Sequence, residues 1–278
     1  MDLGRFGIWT TYRAIGQEQA GAAARLVEEL GYGVFWLGGS PRLPSVRPLL
    51  EATSNLLVAT SIVNVWAYDP AQLAAEYALL ARDFPERLLV GLGIGHPEAT
   101  GDYARPLSAM RTFLDGLDAA EPPLPRDRRC LAALAPKMLV LSAERSLGAI
   151  PYFVPVAHTQ AARAHLGRGP LLAPEVAFVV DGDAESARAK AREYARPYLG
   201  MSNYTNTLLR FGFADEDIAD GGSDRLIDAV VPHGTAAEVA RAVEAHLDAG
   251  ADHVAVQATG EPGIPRDGWT RLAEALLG

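Results

Sequence analysis

Short apolar runs alternate with alanine-rich segments of helical period along the whole chain, and this alternation constrains the fold more than any other feature. A run buried on both faces suits a strand of a parallel sheet, and the helix that follows carries the chain back to begin the next strand. Phe6-Gly7-Ile8-Trp9 reads as the first strand and residues 18–30 as its helix, with Ala22, Leu26 and Leu30 on one stripe and Gly31 as the stop. The second strand, 34–37, ends in Gly38-Gly39-Ser40-Pro41, and a short helix over 47–53 precedes a β-branched third strand over 56–63. Pro70 fits the first turn of a helix reaching residue 83, and the fourth strand, 88–94, ends in Gly95-His96-Pro97.

Further strands are expected over 129–134, 149–154, 172–180 and 253–257, and helices over 105–119, 136–144, 184–198, 203–213, 224–230, 236–249 and 269–276. The segment 121–129 is rich in proline and charge, but the alternation resumes beyond it, so it reads as a surface connection and not a domain linker. Eight βα units favour a closed (β/α)8 TIM barrel over an open doubly wound sheet. The 278 residues, 49% of them apolar, suit one such α/β domain over 1–278. The mixed charges of the 184–198 helix (Glu185, Arg188, Lys190, Arg192, Glu193) read as a solvated face without a function.

Composition removes several function classes. A net charge of −9 with no block of lysine or arginine argues against nucleic acid and anionic membranes as partners. No apolar run is long enough to span a bilayer and the opening residues lack a secretory signal pattern, so a cytoplasmic location is expected. The single cysteine, Cys130, has no partner for an internal disulfide and sits among apolar residues, where packing is the simpler reading than nucleophilic catalysis. No H-x-x-x-H pair, cysteine pair or aspartate cluster has metal-ligand spacing, and there is neither a G-x-S-x-G elbow nor a P-loop.

In a (β/α)8 barrel the chemistry lies on the loops after the strands. Gly91-Leu92-Gly93-Ile94-Gly95-His96 lets a flat ligand approach the backbone because no Cβ obstructs it, although it is not the G-x-G-x-x-G dinucleotide fingerprint. His96, directly after that strand, is placed either to move a proton near neutral pH or only to hydrogen-bond its loop. His158 and Thr159 head a helix after the sixth strand, where they can meet an anion or where Thr159 can serve as a plain cap. His165, His233 and His246 fall on helices or outer connections, and His253 begins the eighth strand at the opposite end of the barrel.

Ala59-Thr60-Ser61-Ile62-Val63-Asn64-Val65-Trp66 with Tyr68-Asp69-Pro70, and Arg87 through His96, resemble the bacterial-luciferase-like superfamily, most nearly its coenzyme F420-dependent oxidoreductases. Leu107-Ser108-Ala109-Met110-Arg111, Leu114-Asp115-Gly116-Leu117, Ala135-Pro136-Lys137-Met138-Leu139 and Ala249-Gly250-Ala251-Asp252-His253-Val254 extend that resemblance over nearly the whole chain. It implies a deazaflavin (F420) or flavin (FMN) cofactor at the C-terminal mouth, and hydride transfer between it and a small organic substrate. It also implies a cis Ser61–Ile62 peptide behind the ring, Asn64 at the ring edge, and Gly93, Ile94 and Gly95 beneath the cofactor. His96 then stands where F420-dependent relatives often carry a glutamate. Two departures follow from the same comparison: Gly38-Gly39-Ser40 replaces an acidic or histidine pair, and Ile150 replaces a histidine.

Tyr152 and Thr159 are assigned to the cofactor, and Trp9, Ser40, Trp66 and Phe153 to the substrate pocket, with core packing an equal reading for Tyr152 and Phe153. Arg105, Arg129 and Lys137 are candidate clamps for the cofactor tail, with surface solvation as the alternative. The leading expectation is an F420-dependent oxidoreductase acting on an apolar small molecule, as a homodimer if it follows its relatives. An FMN-dependent monooxygenase, a cofactor-binding protein without turnover, and an unrelated barrel isomerase or lyase are the alternatives, in that order.

Overall fold

Eleven strand segments join edge to edge, every pair of them parallel, in a computed structural model that describes residues 1–99 and 103–278. Joining the two interrupted strands leaves eight barrel strands and one short extra segment, His233–Gly234, which pairs with Val179–Val180. The eight are β1 (Phe6–Thr10), β2 (Val34–Gly38), β3 (Leu57–Ser61, continued by Val63–Asn64), β4 (Leu88–Gly93), β5 (Arg129–Leu131), β6 (Gly148–Ala149), β7 (Leu171–Leu172 and Glu175–Val180) and β8 (Val254–Ala258). Pro174, which has no N–H to give, interrupts β7; its first part pairs with β6 and its second with β8. The Glu175 N–H then donates to the Pro151 carbonyl at 2.8 Å, which carries the β6–β7 contact across the interruption and closes the ring.

The expected strands are all present, but two are much shorter than the apolar runs that signalled them. β5 stops at Leu131 and β6 at Ala149, where Pro151 and then Phe153, at φ 54°, turn the chain away from the ladder. The expected 184–198 helix ends at Ala195, because Pro197 cannot continue it. Helices Pro70–Asp83, Pro106–Ala119, Pro136–Arg145 and Ala236–Asp248 cover the outside of the barrel, against a core that includes Ile8, Phe35, Val58, Val90 and Val256. The inward residues form a separate cluster of Trp9, Trp36, Ala59, Leu89, Cys130, Ile150 and Ala255. Cys130 is wholly buried in it, and burial pushes its thiol well above the ordinary range, as inert packing requires.

At the lower end of the barrel Trp36 Nε1 donates to His253 Nε2 at 3.0 Å, while His253 Nδ1 lies 2.8 Å from the Gly4 carbonyl. This pairing puts the proton on Nδ1 and keeps the imidazole neutral; burial holds its pKa down to about 4. His253 is therefore a structural residue remote from the mouth.

At the upper end β3 and β4 slip by one residue. Ala59 pairs with Leu89 and Val63 with Leu92, so residues 60–62 face only residues 90–91, a bulge that re-aims the end of β3. Thr60 fills the break: its hydroxyl accepts from the Gly91 N–H at 2.9 Å and donates to the Gly91 carbonyl at 3.1 Å. A Cβ on Gly91 would lie 2.0 Å from the Thr60 carbonyl oxygen, so only glycine fits opposite the bulge. Thr60→Val should lower stability by about 2–3 kcal/mol in urea unfolding, since it strands two buried backbone groups without changing the shape, whereas Thr60→Ser should lose less.

Candidate active site

The loops above the C-terminal ends of the strands enclose a cavity of about 1440 Å³, more than the roughly 300–1,000 Å³ usual for one small ligand. Its floor is the top of β3 and β4: Ser61, Ile62, Gly93, Ile94 and Gly95. The Ser61–Ile62 peptide bond is cis, as the resemblance implies. A Cβ on Gly93 would come within 2.6 Å of the Ile62 side chain, so the glycine leaves Ile62 its place on the floor. Gly38 acts likewise for Trp9, whose ring a Cβ there would meet at 2.0 Å.

His96 lines the cavity from the loop after β4. Helix Ser202–Arg210, which lies over the mouth, holds that loop: Ser202 N–H donates to Glu98 Oε1 at 2.9 Å and the Asn203 amide donates to the Gly95 carbonyl at 3.3 Å. The Glu98 carboxylate thus sits at the positive end of the helix, and its bonds to Ser202 hold its pKa below the usual range. The His96 ring packs on Tyr204 with 5.0 Å between centroids, and Nε2 lies 3.4 Å from the Tyr204 hydroxyl, long for a hydrogen bond. His96 Nδ1 is buried and has no partner among the described residues. Burial lowers the pKa of this imidazole, opposed by the nearby Glu98 charge, so at neutral pH the ring is an uncharged acid–base group.

The wall is apolar on one side, with Trp9, Leu107, Met138, Ile150 and Leu209, and cationic at the rim, with Arg13, Arg42, Lys137 and Arg210. No carboxylate is among the described lining residues, which is notable in a chain of net charge −9. Arg42 is committed in part, since it stacks on Tyr68 at 4.0 Å and donates to the Ala67 carbonyl. Lys137 and Arg210 stand across the mouth from Arg13 and Arg42 in barrel order, on the segments after β5 and β7. Together they make the rim a place for anionic groups.

Of the residues singled out from sequence, Trp9, Ser40, Ser61, Ile62, Gly93, Ile94, Gly95, His96, Lys137 and Tyr152 line this cavity. The structure takes the others out of it. The Asn64 side chain turns back to accept from the Trp66 N–H at 3.0 Å, as a cap for the turn that follows. Trp66 is 38% exposed and donates to the Ile94 carbonyl at 2.9 Å, so it braces the end of β4 from outside. Phe153 lies behind the lining, stacked on Tyr198. Thr159 is inside helix Val156–Leu166 and fully buried, with its hydroxyl 2.8 Å from His246 Nδ1, which leaves nothing for an anion. His158 is buried too, and its Nε2 faces the Leu134 carbonyl. Arg105 is not among the lining residues, and Arg129 begins β5 at the end of the barrel away from the mouth.

Sequence reading missed Thr60, Glu98, Tyr198, Tyr204 and Gln257. Tyr194 and Tyr198 were hidden in a helix whose charges marked it as surface, and Tyr204 in a helix with no assigned role; their aromatic spacing was the available signal.

The family model for luciferase-like monooxygenases matches residues 1–253. The chain belongs to the luciferase-like monooxygenase family. Members of this family are oxidoreductases, and solved structures share the fold at low identity. An F420-dependent secondary alcohol dehydrogenase, solved with an F420–acetone adduct, superposes with a TM-score of 0.76 at 15% identity, over 98% of this chain and 97% of that one. The coenzyme F420-dependent tetrahydromethanopterin reductase of Methanopyrus kandleri gives 0.71 at 14% identity, over 98% of each chain. The FMN-bound oxygenating constituent of 3,6-diketocamphane monooxygenase from Pseudomonas putida gives 0.68 at 15% identity, over 98% and 96%. No curated protein matches the sequence. Among the described residues of this luciferase-like chain, no helix is long and apolar enough to cross a membrane.

Proposed function

We propose that this luciferase-like protein is an oxidoreductase that holds coenzyme F420 on the floor of the mouth and passes a hydride between it and a small, largely apolar organic molecule. The observation that carries the reading is the combination on one floor: Ile62 seated against Gly93, where only a glycine leaves it room, the Ser61–Ile62 segment beside Ile94 and Gly95, and His96 lining the same space. That cradle fits a flat ring, and the cationic rim fits the phosphate that both F420 and FMN carry.

When bound, the cofactor supplies the hydride donor or acceptor. Ser61, Ile62, Gly93, Ile94 and Gly95 would hold the ring, and Lys137 with Arg210, or Arg13 with Arg42, would hold the anionic tail. Trp9, Met138, Ile150 and Leu209 exclude water and orient an apolar substrate above the floor. His96 in its neutral form takes a proton from the substrate hydroxyl in the oxidising direction, or returns it in the reducing direction.

One observation favours FMN as a second reading: position 96 carries a neutral imidazole where the resemblance to F420-dependent enzymes expects a carboxylate. A monooxygenase of that kind would consume oxygen. Fluorescence titration of cofactor-free protein with F420, and separately with FMN, tests both. Saturable binding of F420 alone is expected; preference for FMN together with oxygen uptake hands the function to the monooxygenase, and binding of neither removes the cofactor assignment. Charge reversal at the rim, Lys137→Glu with Arg210→Glu, should weaken the bound form by about tenfold or more at low salt and less at high salt, as expected of an exposed charge contact.

A further inference from the structure

A buried carboxyl stands behind the tyrosines of the cavity wall with no cation beside it among the described residues. Glu175 opens the second part of β7, where alternate residues Glu175, Ala177 and Val179 face inward; Ala177 and Val179 pack with Phe153 and Tyr204. Glu175 is 3% exposed, and its contacts are few: Oε2 accepts from the Phe153 N–H at 3.4 Å, the Tyr194 hydroxyl is close to the carboxyl without a formed hydrogen bond to it, so the two must close up for a proton to pass, and Oε1 has no partner among the described residues. The titratable groups that face it are Tyr152 from the segment after β6, Tyr194 from helix Ala184–Ala195, Tyr198 from the turn that follows, and Tyr204 from the mouth helix. A carboxylate in such surroundings is neither paired nor solvated, and the group avoids that cost by keeping its proton. Burial pushes its pKa up to about 8, with the Phe153 N–H and Tyr194 opposing.

From Tyr194 the hydroxyls run on to the cavity. Tyr152 Oη lies 2.7 Å from Tyr194 Oη and 2.8 Å from Tyr198 Oη, and Gln257 Oε1 lies 3.0 Å from Tyr152 Oη and 3.2 Å from Tyr194 Oη, so the single proton of each phenol goes either to Gln257 or on to the next hydroxyl. Tyr152, Tyr198 and Gln257 line the cavity; Tyr194 and Glu175 do not. Burial raises every one of these phenols, so none ionises at neutral pH and each both donates and accepts.

We propose that Glu175 stores a proton in the barrel wall and exchanges it with the cavity through the hydroxyls of Tyr194, Tyr152 and Tyr198, a proton route separate from His96. In the delivering direction the Glu175 O–H bond breaks and its proton forms a bond to Tyr194 Oη. Tyr194 passes its own proton to Tyr152, Tyr152 to Tyr198, and Tyr198 to the acceptor in the cavity. Each hydroxyl gains one O–H bond as it loses one, and the negative charge is left on Glu175. The reverse sequence takes a proton up. Glu175 and Tyr194 do not touch the reacting molecule and are positioning and relay residues; use of the route in turnover rests on the cavity being the site of the proposed reaction.

Infrared spectroscopy of the full chain without cofactor tests the store and the route. At pH 7 the protein should show the carbonyl band of a protonated carboxyl that fades as pH rises through about 8 and is missing in Glu175→Gln; a carboxyl already ionised at pH 7 overturns the proposal. If Glu175→Gln does not fold, a shift of the band in Tyr194→Phe makes the same assignment. On mixing with heavy water, exchange at this carboxyl should slow by about tenfold or more in Tyr194→Phe, and an unchanged rate overturns the relay. Neither readout needs a cofactor, so both stand even if F420 and FMN fail to bind. In the loaded enzyme an alkaline limb near pH 8 should vanish in Glu175→Gln and in Tyr194→Phe but persist in His96→Ala; a limb that survives in Glu175→Gln overturns the role in turnover.

Discussion

Replacing His96 with alanine should lower turnover by about 10²–10⁴-fold while leaving the dissociation constant of the cofactor nearly unchanged, the range expected when a positioned acid–base group is removed. The separation of the two effects follows from the geometry. The floor that faces a flat ring is built from Ser61, Ile62, Gly93, Ile94 and Gly95, none of which depends on the imidazole, whereas the ring of His96 is held by Tyr204 and by the loop bonds from Ser202 and Asn203. The pH profile carries the same signature. Burial lowers the His96 pKa from the ordinary value of about 6.5, so the neutral form is complete at pH 7 and is lost only as pH falls through a point below 6.5. The wild-type rate should therefore drop on an acidic limb below pH 6.5, and that limb should be absent in His96→Ala. His96→Gln, which keeps a hydrogen-bonding group but cannot titrate, should behave like alanine in the pH profile. Glu98→Gln should disturb the loop rather than the chemistry, because its carboxylate is bonded to the Ser202 N–H and not directed into the cavity.

The barrel was legible because each of its units is local. Periodicity, Pro70 at the head of its helix, and the glycines after β2 and β4 each depend on a few consecutive residues, and the structure keeps all of them. The site was legible where backbone makes it: the floor from Ser61 to Gly95 depends on missing side chains, and a glycine is visible in the sequence. It was least legible where distant segments meet. Whether Thr159 faces an anion or His246 depends on a helix 87 residues further along the chain, and nothing near Thr159 in sequence records that helix. Asn64 was assigned by resemblance and Trp66 as an aromatic at a strand end, but the turn over Val65–Ala67 uses the Asn64 side chain as its cap and swings Trp66 to the outside. The tyrosine wall has the same cause: Tyr152 comes from the segment after β6, Tyr194 and Tyr198 from the segment after β7, and Gln257 from β8, so their contact exists only once the barrel has closed.

Arg129 separates a structural cation from a ligand-binding one. As a tail clamp it would have to reach the mouth, but it starts β5, its side chain has no exposed area, and each of its three nitrogens is bonded below: Nη2 to Asp118 at 2.5 Å, Nε to the Arg145 carbonyl at 3.1 Å and Nη1 to the Leu124 carbonyl at 3.3 Å. Asp118 also receives Arg145 at 3.0 Å and Arg126 at 3.4 Å, so it is the anion around which the lower end of this sector is tied. Asp118→Ala leaves the buried guanidinium without its counter-charge and should cost about 3–5 kcal/mol, the usual penalty for breaking a buried pair from one side. Arg129→Met should cost less, since Asp118 keeps Arg145 and some water, and the double variant should lose less than the two single losses added together. The pH dependence has a definite sign. Burial raises the Asp118 pKa, but Arg129 and Arg145 outweigh it and hold the carboxyl below its ordinary value, so the pair stabilises fully above about pH 4 and is lost as pH falls through the depressed folded value. Denaturant unfolding at pH 7 and at pH 3 should therefore show the Asp118→Ala deficit shrinking in acid. Cofactor affinity of the folded fraction should not change, and a loss of F420 or FMN binding at unaltered stability would return Arg129 to the list of tail ligands.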